Sequence, residues 1–338
     1  MVLSVRHILY NLKILRVHTF DFPVIGVGNL AVGGTGKTPH TLLIADILQK
    51  NNISFAVLLR GYKRKSKGFL YVENSSTAAQ VGDEALLIKR RMPQAIVAVC
   101  TNRAAGIARV KREHPTIQAA LLDDAFQHRK VNAGLAVLLT PYRRLMTQDA
   151  LLPIGRLRDL PWRRHHADIV VATQCPNGLQ PIDFKVLKKN LKLLPYQQQF
   201  CSTYQYLPPV QLTTGNEVVL GKDTQVVALA GIAHPQAFYG YLQRTCTVQR
   251  TLTFADHQHF GKLACAKIRH ILQKYPQAQL VTTEKDAMRL LHCKLEPEYI
   301  QRIVYQPIGI KFLKEESSIF TQNILHYVKT NKGISLFC

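Results

Sequence analysis

The chain of 338 residues is 47% hydrophobic and carries 44 Lys and Arg against 21 Asp and Glu, a formal net charge of +23. That length can bury a full core and points to two domains rather than one. The charge calls for an anionic partner: nucleic acid, an acidic membrane surface or a phosphorylated substrate. The seven cysteines (100, 175, 201, 246, 265, 293 and 338) form no CxxC pair and no zinc-like cluster. Their scatter suits a reducing compartment and argues against a disulfide framework or a structural metal.

The N-terminal run MVLSVRHILYNLKILRVHTF is apolar, but Arg6, Lys13 and Arg16 interrupt it. It falls short of the roughly 20 apolar residues that a membrane span requires, and no small-residue cleavage site follows it. At helical spacing Val5, Ile8, Leu9, Leu12 and Leu15 share one face. That face suits a helix lying on a membrane surface, or equally one packed on the domain's own core. Leu3, Ile14 and Val17 fall off the main face and blur both readings.

Further along, apolar runs read as buried parallel strands at Val24–Val27, Phe55–Leu59, Ala95–Val99, Ala119–Leu122, Leu135–Leu139 and Ile169–Ala172. Helical stretches at Thr38–Gln49, Asp83–Arg91 and Asn102–Glu113 alternate with them. The pattern predicts an α/β fold: a P-loop NTPase-like, doubly wound, mostly parallel sheet. Periodicity fades over residues 196–224, which read as a linker. A second, smaller α/β pattern follows, with strands at Val226–Ala230, Gln279–Thr282 and Arg302–Tyr305 and a helix at Leu263–Lys274. The expected domains are a docking helix over 1–20, a nucleotide-binding core over 21–195, the linker, and a second α/β domain over 225–338.

The stretch NLAVGGTGKTPH sits between an expected strand and an expected helix, the setting a phosphate-binding loop requires. Gly33, Gly34 and Gly36, with Thr35 between them, let the backbone aim N–H groups at phosphate oxygens. The helix beginning near Lys37 adds its positive dipole end. Lys37 can reach β- and γ-phosphates, and the Thr38 hydroxyl is placed for Mg²⁺. Pro39 costs nothing in a first turn. The strict P-loop pattern wants glycine where this chain has Ala31. The loop is read as binding a nucleoside triphosphate.

An acidic partner is expected at the end of a neighbouring strand, and the run AALLDDAFQH supplies Asp123 and Asp124 there. Two further clusters carry groups that chemistry can use. VGDEALL places Asp83 and Glu84 in a first helical turn, where acids are also favoured structurally. FADHQHF places Asp256, His257 and His259 in a loop, where histidines serve acid–base chemistry or are merely solvated. Residue chemistry alone selects no base between these clusters.

The succession GNLAVGGTGKTP, RGYKRKSKG, VGDEA, LLDDAFQHRK, LLPIGRLRD, FADHQHF and VTTEKDAMR, running from about Pro23 to Leu290, resembles the tetraacyldisaccharide 4'-kinase (lipid A 4'-kinase) family. The resemblance implies transfer of the γ-phosphate of ATP to the 4'-hydroxyl of a tetraacylated glucosamine disaccharide 1-phosphate, forming lipid IVA at the cytoplasmic face of the bacterial inner membrane. It implies ATP held by Gly33 to Thr38 and Mg²⁺ served by Thr38, Asp123 and Asp124, whose roles stay undivided. It also implies a catalytic dyad in which Asp83, tuned by His257, accepts the hydroxyl proton. The partners implied are the lipid substrate and an anionic membrane surface, with the N-terminal helix docking a monomeric peripheral protein. Arg60, Lys63, Arg64, Lys65 and Lys67 follow a strand end and can attract the substrate's phosphate or simply be solvated.

This chain departs from the family pattern in three places. Ala125 stands where the family commonly has glycine, so a left-handed backbone there is in question. Asp159 stands where glutamate is usual, shortening the acidic reach by one methylene. Residues 1–23 precede the first expected strand, a shorter segment than usual.

The alternative function is a P-loop GTPase or metallochaperone-like nucleotide switch. It would want a guanine-reading NKxD motif, and Thr283-Glu284-Lys285-Asp286 has the wrong spacing. Nucleic acid is not an expected partner: the basic residues are spread along the chain and there is one Trp.

Overall fold

The computed structural model describes residues 2–256 and 258–331, which divide into two compact units. The first comprises residues 1–76, 80–204 and 310 to the C-terminus; the second comprises 205–309 with Thr77–Ala79.

The first unit is built on strands β1 (Val24–Asn29), β2 (Phe55–Leu59), β3 (Leu70–Tyr71), β4 (Ile96–Val99), β5 (Ala119–Asp123), β6 (Leu135–Pro141), β7 (Ile169–Thr173) and β8 (Gln198–Tyr206). The second contains β9 (Val210–Gln211), β10 (Gln225–Ala230), β11 (Thr247–Thr253), β12 (Gln279–Thr283) and β13 (Ile303–Gln306), and β14 (Ile308–Phe312) returns to the first sheet. The first sheet has the order β14-β8-β7-β6-β1-β5-β2-β4-β3. From β8 to β4 every pairing is parallel, and the short β3 runs antiparallel to β4.

Strands β1, β2, β5 and β7 are buried at every position. A sheet covered on both faces selects such continuous apolar runs. One core cluster gathers Leu138, Val170 and Ala172 with Leu187 and Leu191 of the helix Pro181–Leu191. Another gathers Val24, Leu58 and Leu122 with Ile107 and Val110 of the helix Arg103–Glu113.

The stretch 196–224, expected to be a linker, contributes strand β8. Its QQFCSTYQY text alternates because only its middle residues, Phe200 to Ser202, are buried near the sheet's end. Residues after Gly309 likewise belong to the first unit and not to the expected second domain. There the helix Ser317–Thr330 buries Phe320, Ile324 and Tyr327. The Tyr327 hydroxyl donates to the Val24 carbonyl (3.1 Å) and accepts from the Val24 N–H (3.0 Å). Phe320 packs on Phe200 and Phe312 at centroid distances of 5.3 and 4.6 Å.

In the second unit β11, β10, β12 and β13 are parallel in that order, and β9 is antiparallel to β13. Val226, Ala228, Val281 and Val304 form its core with Phe238 and Leu242 of the helix Gln236–Thr245.

The N-terminal helix spans Val2–Asn11. Its polar side turns inward, with His7 and Tyr10 buried. Val5, Ile8 and Leu12 are 51%, 53% and 64% exposed, so the aliphatic face looks outward. Among the described residues no helix is long and apolar enough to cross a membrane.

Candidate nucleotide and phosphoryl-transfer site

The loop after β1 turns through left-handed glycines at Gly33 (φ 107°) and Gly36 (φ 87°), and Gly36 caps the helix Lys37–Lys50. A side chain at Gly36 would meet the Tyr204 hydroxyl at 2.9 Å as well as carrying the φ penalty. The loop is braced from the β7–β8 side. Gln174 Nε2 donates to the Gly34 carbonyl (2.6 Å) and lies 3.2 Å from the Tyr204 hydroxyl. His40 is fully buried, 2.7 Å from the Gly36 carbonyl and 3.0 Å from the Ser202 hydroxyl. These two carbonyls are taken from behind, and within the loop the Thr35 N–H bonds the Gly33 carbonyl (3.1 Å).

Asp123 ends β5 beside β1, in register with Val27. The backbone then crosses β1 and enters β6 without a helix, because Gly26 and Gly28 leave that face bare. A Cβ on Gly28 would lie 2.7 Å from the Phe126 ring, and one on Gly26 would lie 3.0 Å from the Ala125 and Ala133 methyls. The left-handed residue of this crossover is Asp124 (φ 55°), so the alanine at 125 needs no unusual backbone. Aspartate tolerates that conformation better than most residues.

Asp124 receives both terminal nitrogens of Arg158 and lies 3.7 Å from Lys37 Nζ. Burial opposes its charge, but Lys37 and Arg158, with Arg103 beyond them, hold its pKa below the usual carboxylate range. Asp123 is in the opposite state. Burial and then the charge of Glu84 push its pKa up to about 7, although Lys37 and the Thr41 hydroxyl (3.3 Å) favour the anion. One acid of the pair is fully ionised and the other is short of positive charge. With the Thr38 hydroxyl, these are hard oxygen donors of the kind Mg²⁺ takes, and a cation would supply the charge Asp123 lacks.

Three residues that the sequence reading did not assign to the site hold this arrangement. Asn29 donates to Thr35 Oγ1 (2.7 Å) and accepts from Arg158 (2.5 Å), tying the phosphate loop to the acidic corner. Arg158 is carried on a segment that pairs with the loop through Ala31 and Leu157. Arg103, buried behind the corner, donates to the Asp123 carbonyl (3.1 Å) and to His128 Nε2 (2.8 Å). No local motif marks Arg103, and Arg158 stands in the LLPIGRLRD stretch without a role assigned to it; the folded sheet brings both to Asp123 and Asp124.

Asp159, the shortened acid, accepts from His7 Nε2 at 2.6 Å and is buried. Arg129 donates to the other ring nitrogen of His7 (3.0 Å) and to Asn11 (2.8 Å). The N-terminal helix thus brings its histidine to the carboxylate.

Asp83 and Glu84 open the helix Asp83–Arg91 behind Gly82 (φ 90°). Glu84 is the one whose charge reaches Asp123. Of the basic stretch, Arg64 donates to the Gly68 carbonyl and shapes its own loop. Arg60 lies close enough to Arg103 and His128 to depress both pKa values.

His257 lies outside the described residues. In the second unit, the neighbouring Gln258 carbonyl accepts from Arg289 (3.4 Å), which also pairs with the buried Asp286 (3.0 Å). Asp286 further accepts from the Gly231 N–H (2.8 Å) and the Thr283 hydroxyl (2.6 Å). The TEKD stretch is therefore a helix cap whose carboxylate is consumed internally, and it reads no base.

A strand–loop–helix with left-handed glycines, a lysine and a carboxylate pair on the adjacent parallel strand defines a nucleotide-binding protein of the P-loop α/β class. A family model described as LpxK, tetraacyldisaccharide-1-P 4'-kinase, matches residues 1–329. The chain belongs to that family. It is 40% identical to the tetraacyldisaccharide 4'-kinase of Bacteroides thetaiotaomicron, over 99% of this chain and 92% of the relative. It is 39% identical to the one from Phocaeicola vulgatus, over 98% and 93%. Among solved structures, LpxK from Aquifex aeolicus, crystallised with ATP, superposes with a TM-score of 0.77 at 25% identity, covering 97% of this chain and 95% of that one.

Proposed function

We propose that this chain is an ATP-dependent lipid kinase. It transfers the γ-phosphoryl group of ATP to the 4'-hydroxyl of a tetraacylated glucosamine disaccharide 1-phosphate, making lipid IVA in lipid A biosynthesis. The observation that carries the reading is the family match over residues 1–329, joined to the acidic corner set 3.7 Å from the P-loop lysine.

In this reading the backbone from Gly33 to Thr38, Thr35 included, cradles the triphosphate and Lys37 counters its charge. Thr38, Asp123 and Asp124 hold Mg²⁺, which neutralises charge developing on the phosphates. Asp124, kept ionised by Lys37 and Arg158, anchors the corner. Asp123, with its raised pKa, is the carboxylate whose charge depends most on its surroundings. Asp83 accepts the proton of the 4'-hydroxyl, and His257 is the residue proposed to tune it. Positioning and charge stabilisation carry most of phosphoryl transfer, so loss of the loop lysine weighs more than loss of the base. The outward aliphatic face of the N-terminal helix supports a peripheral protein on a membrane surface, in this reading a monomer at the cytoplasmic face of the inner membrane.

The test is transfer of labelled γ-phosphate from ATP to a tetraacyl disaccharide 1-phosphate in detergent micelles with Mg²⁺, beside Lys37→Ala. Product from the native chain alone supports the kinase. ATP hydrolysis without a phosphorylated lipid would discard the acceptor.

A further inference from the structure

A cavity of about 300 Å³ lies in the first unit, with Val17 of the N-terminal segment in its lining. The crossover residues after Asp124, the start of β6 and the segment Arg163–Asp168 enclose it. Leu122, Phe126 and Val131 give it an apolar floor, while Arg129, Arg163 and His166 give it a basic wall.

The charges around this wall do not balance locally. Arg6, Arg129 and Arg163 lie close enough for their charges to act on one another. The acid that faces them, Asp159, is engaged by His7 and by the Leu160 N–H (2.8 Å), and stands 4.0 Å from Arg163 Nε. Arg163 is 7% exposed. Its Nε finds no hydrogen-bond acceptor among the described residues, and its Nη2 reaches the Phe126 carbonyl only at 3.4 Å. A buried guanidinium with unfilled donors beside two others is a site for an anion. Asp168, also in the lining, accepts the Ala136 N–H (2.7 Å) on its carboxylate.

The position of the cavity narrows the anion. Val17 lines it and is 44% exposed. With Val5, Ile8, Leu12 and Ile14 it completes a run of outward aliphatic residues along the first segment. A ligand that meets the basic wall from this side carries a phosphate on an apolar body. We propose that the cavity binds the phosphate of an acidic phospholipid headgroup, with Arg163 as its principal ligand and Arg129 beside it. An occupant there touches the segment that begins at Asp123 and Asp124, linking membrane residence to the acidic corner. The inference rests on the membrane-surface reading of the helix, which a separate variant tests.

The experiment uses the full chain and co-sedimentation with vesicles of phosphatidylcholine, with or without phosphatidylglycerol. Arg163→Gln should lower the preference for the anionic vesicles roughly fivefold, as expected for one basic residue at an anionic surface, and leave binding to neutral vesicles unchanged. Ile8→Ser should weaken binding to both vesicle types while keeping the anionic preference; a loss of preference alone would sink the surface reading instead. Full anionic preference in a folded Arg163→Gln variant overturns the site. Should that variant fail to fold, hydrogen exchange of the native chain decides. Anionic vesicles should protect amides in 125–133 and 163–168, and protection confined to residues 2–17 overturns the proposal. Equal protection by inorganic phosphate without vesicles would assign the cavity to a soluble anion and overturn the lipid as its occupant.

Discussion

His40 and Gly36 are joined by a hydrogen bond of 2.7 Å that decides the chemical state of the histidine. The Gly36 carbonyl only accepts, so Nδ1 carries the proton and Nε2 accepts the Ser202 hydroxyl. Burial lowers the pKa of His40 to about 4, which keeps the ring neutral. His40→Leu strands the Ser202 hydroxyl, at a cost of about 1–3 kcal/mol, and leaves the Gly36 carbonyl only the backbone N–H of residue 40 (3.1 Å). Because the Gly36 peptide then loses its brace, the Kd for an ATP analogue should rise about tenfold, equivalent to about 1.4 kcal/mol. Calorimetric titration beside urea unfolding checks this; reduced stability with an unchanged Kd would make His40 a core residue only.

Lys37→Ala removes the cation 3.7 Å from Asp124 and the group that faces the phosphates. Turnover should fall at least about 10³-fold, the scale of losing a preorganised charge in such a transition state. Asp83→Ala should cost about 10²–10⁴ in kcat, the range of a general base, with ATP affinity unchanged. Full turnover from Asp83→Ala would remove it from the chemistry.

The pH dependence of the nucleotide-free protein follows from Asp123. Its folded pKa of about 7 lies above the ordinary 3.8, so between these values the folded chain binds more protons than the unfolded chain. The stability contributed by this group is present below 3.8 and is lost as pH rises through 7. Asp123→Asn removes the dependence, so its stability relative to the native chain should increase from pH 4 to pH 7. Denaturant titrations across that window check the sign, and a decrease would show that Asp123 is ionised in the apo protein.

Gly28→Ala sets a methyl 2.7 Å from the Phe126 ring and 2.9 Å from the Phe126 backbone nitrogen. Backbone cannot yield as a flexible side chain can, so the cost should reach about 1–3 kcal/mol. The displaced acidic corner should also raise the Mg²⁺ concentration needed for half-maximal activity. A native Tm with native Mg²⁺ dependence would contradict the close crossing.

His7→Ala deprives the buried Asp159 of its side-chain donor, leaving it the Leu160 N–H, and leaves Arg129 one acceptor short. A loss of about 1–3 kcal/mol is expected, together with faster proteolysis within residues 2–17. Asp159→Glu, which restores the usual acid, should rescue nothing in this background, since it is the histidine that is missing.

Much of the first sheet was legible because buried parallel strands write themselves as unbroken apolar runs. Phe55–Leu59 and the helix Asp83–Arg91 fall where the pattern puts them. Strand β8 escaped because QQFCSTYQY is half-exposed, and β14 because IGIKF is an edge strand inside what reads as a second domain. The phosphate loop and acidic pair were visible as motifs. The roles of their supports were not: Asn29 and Arg158 lie inside quoted motifs and Arg103 outside them, but what they hold is set by contacts between separate segments of the chain. The doubt raised by Ala125 dissolves for a backbone reason, with Asp124 taking the left-handed position. In the N-terminal helix, the periodicity identified an apolar face but not which way it points.

The bond between Tyr327 and Val24 fixes an order of synthesis. The strand that leads into the phosphate loop is clamped by a residue near the end of the described chain. The second unit, residues 205–309 apart from the small Thr77–Ala79 piece, leaves the ribosome before that clamp. It can therefore close on itself early, while the nucleotide-binding sheet still lacks β14 and its last helix. ATP affinity becomes an inspection of the chain through Tyr327: a chain cut short after Gly309 would carry every phosphate-binding residue and still hold the loop on an unfinished sheet.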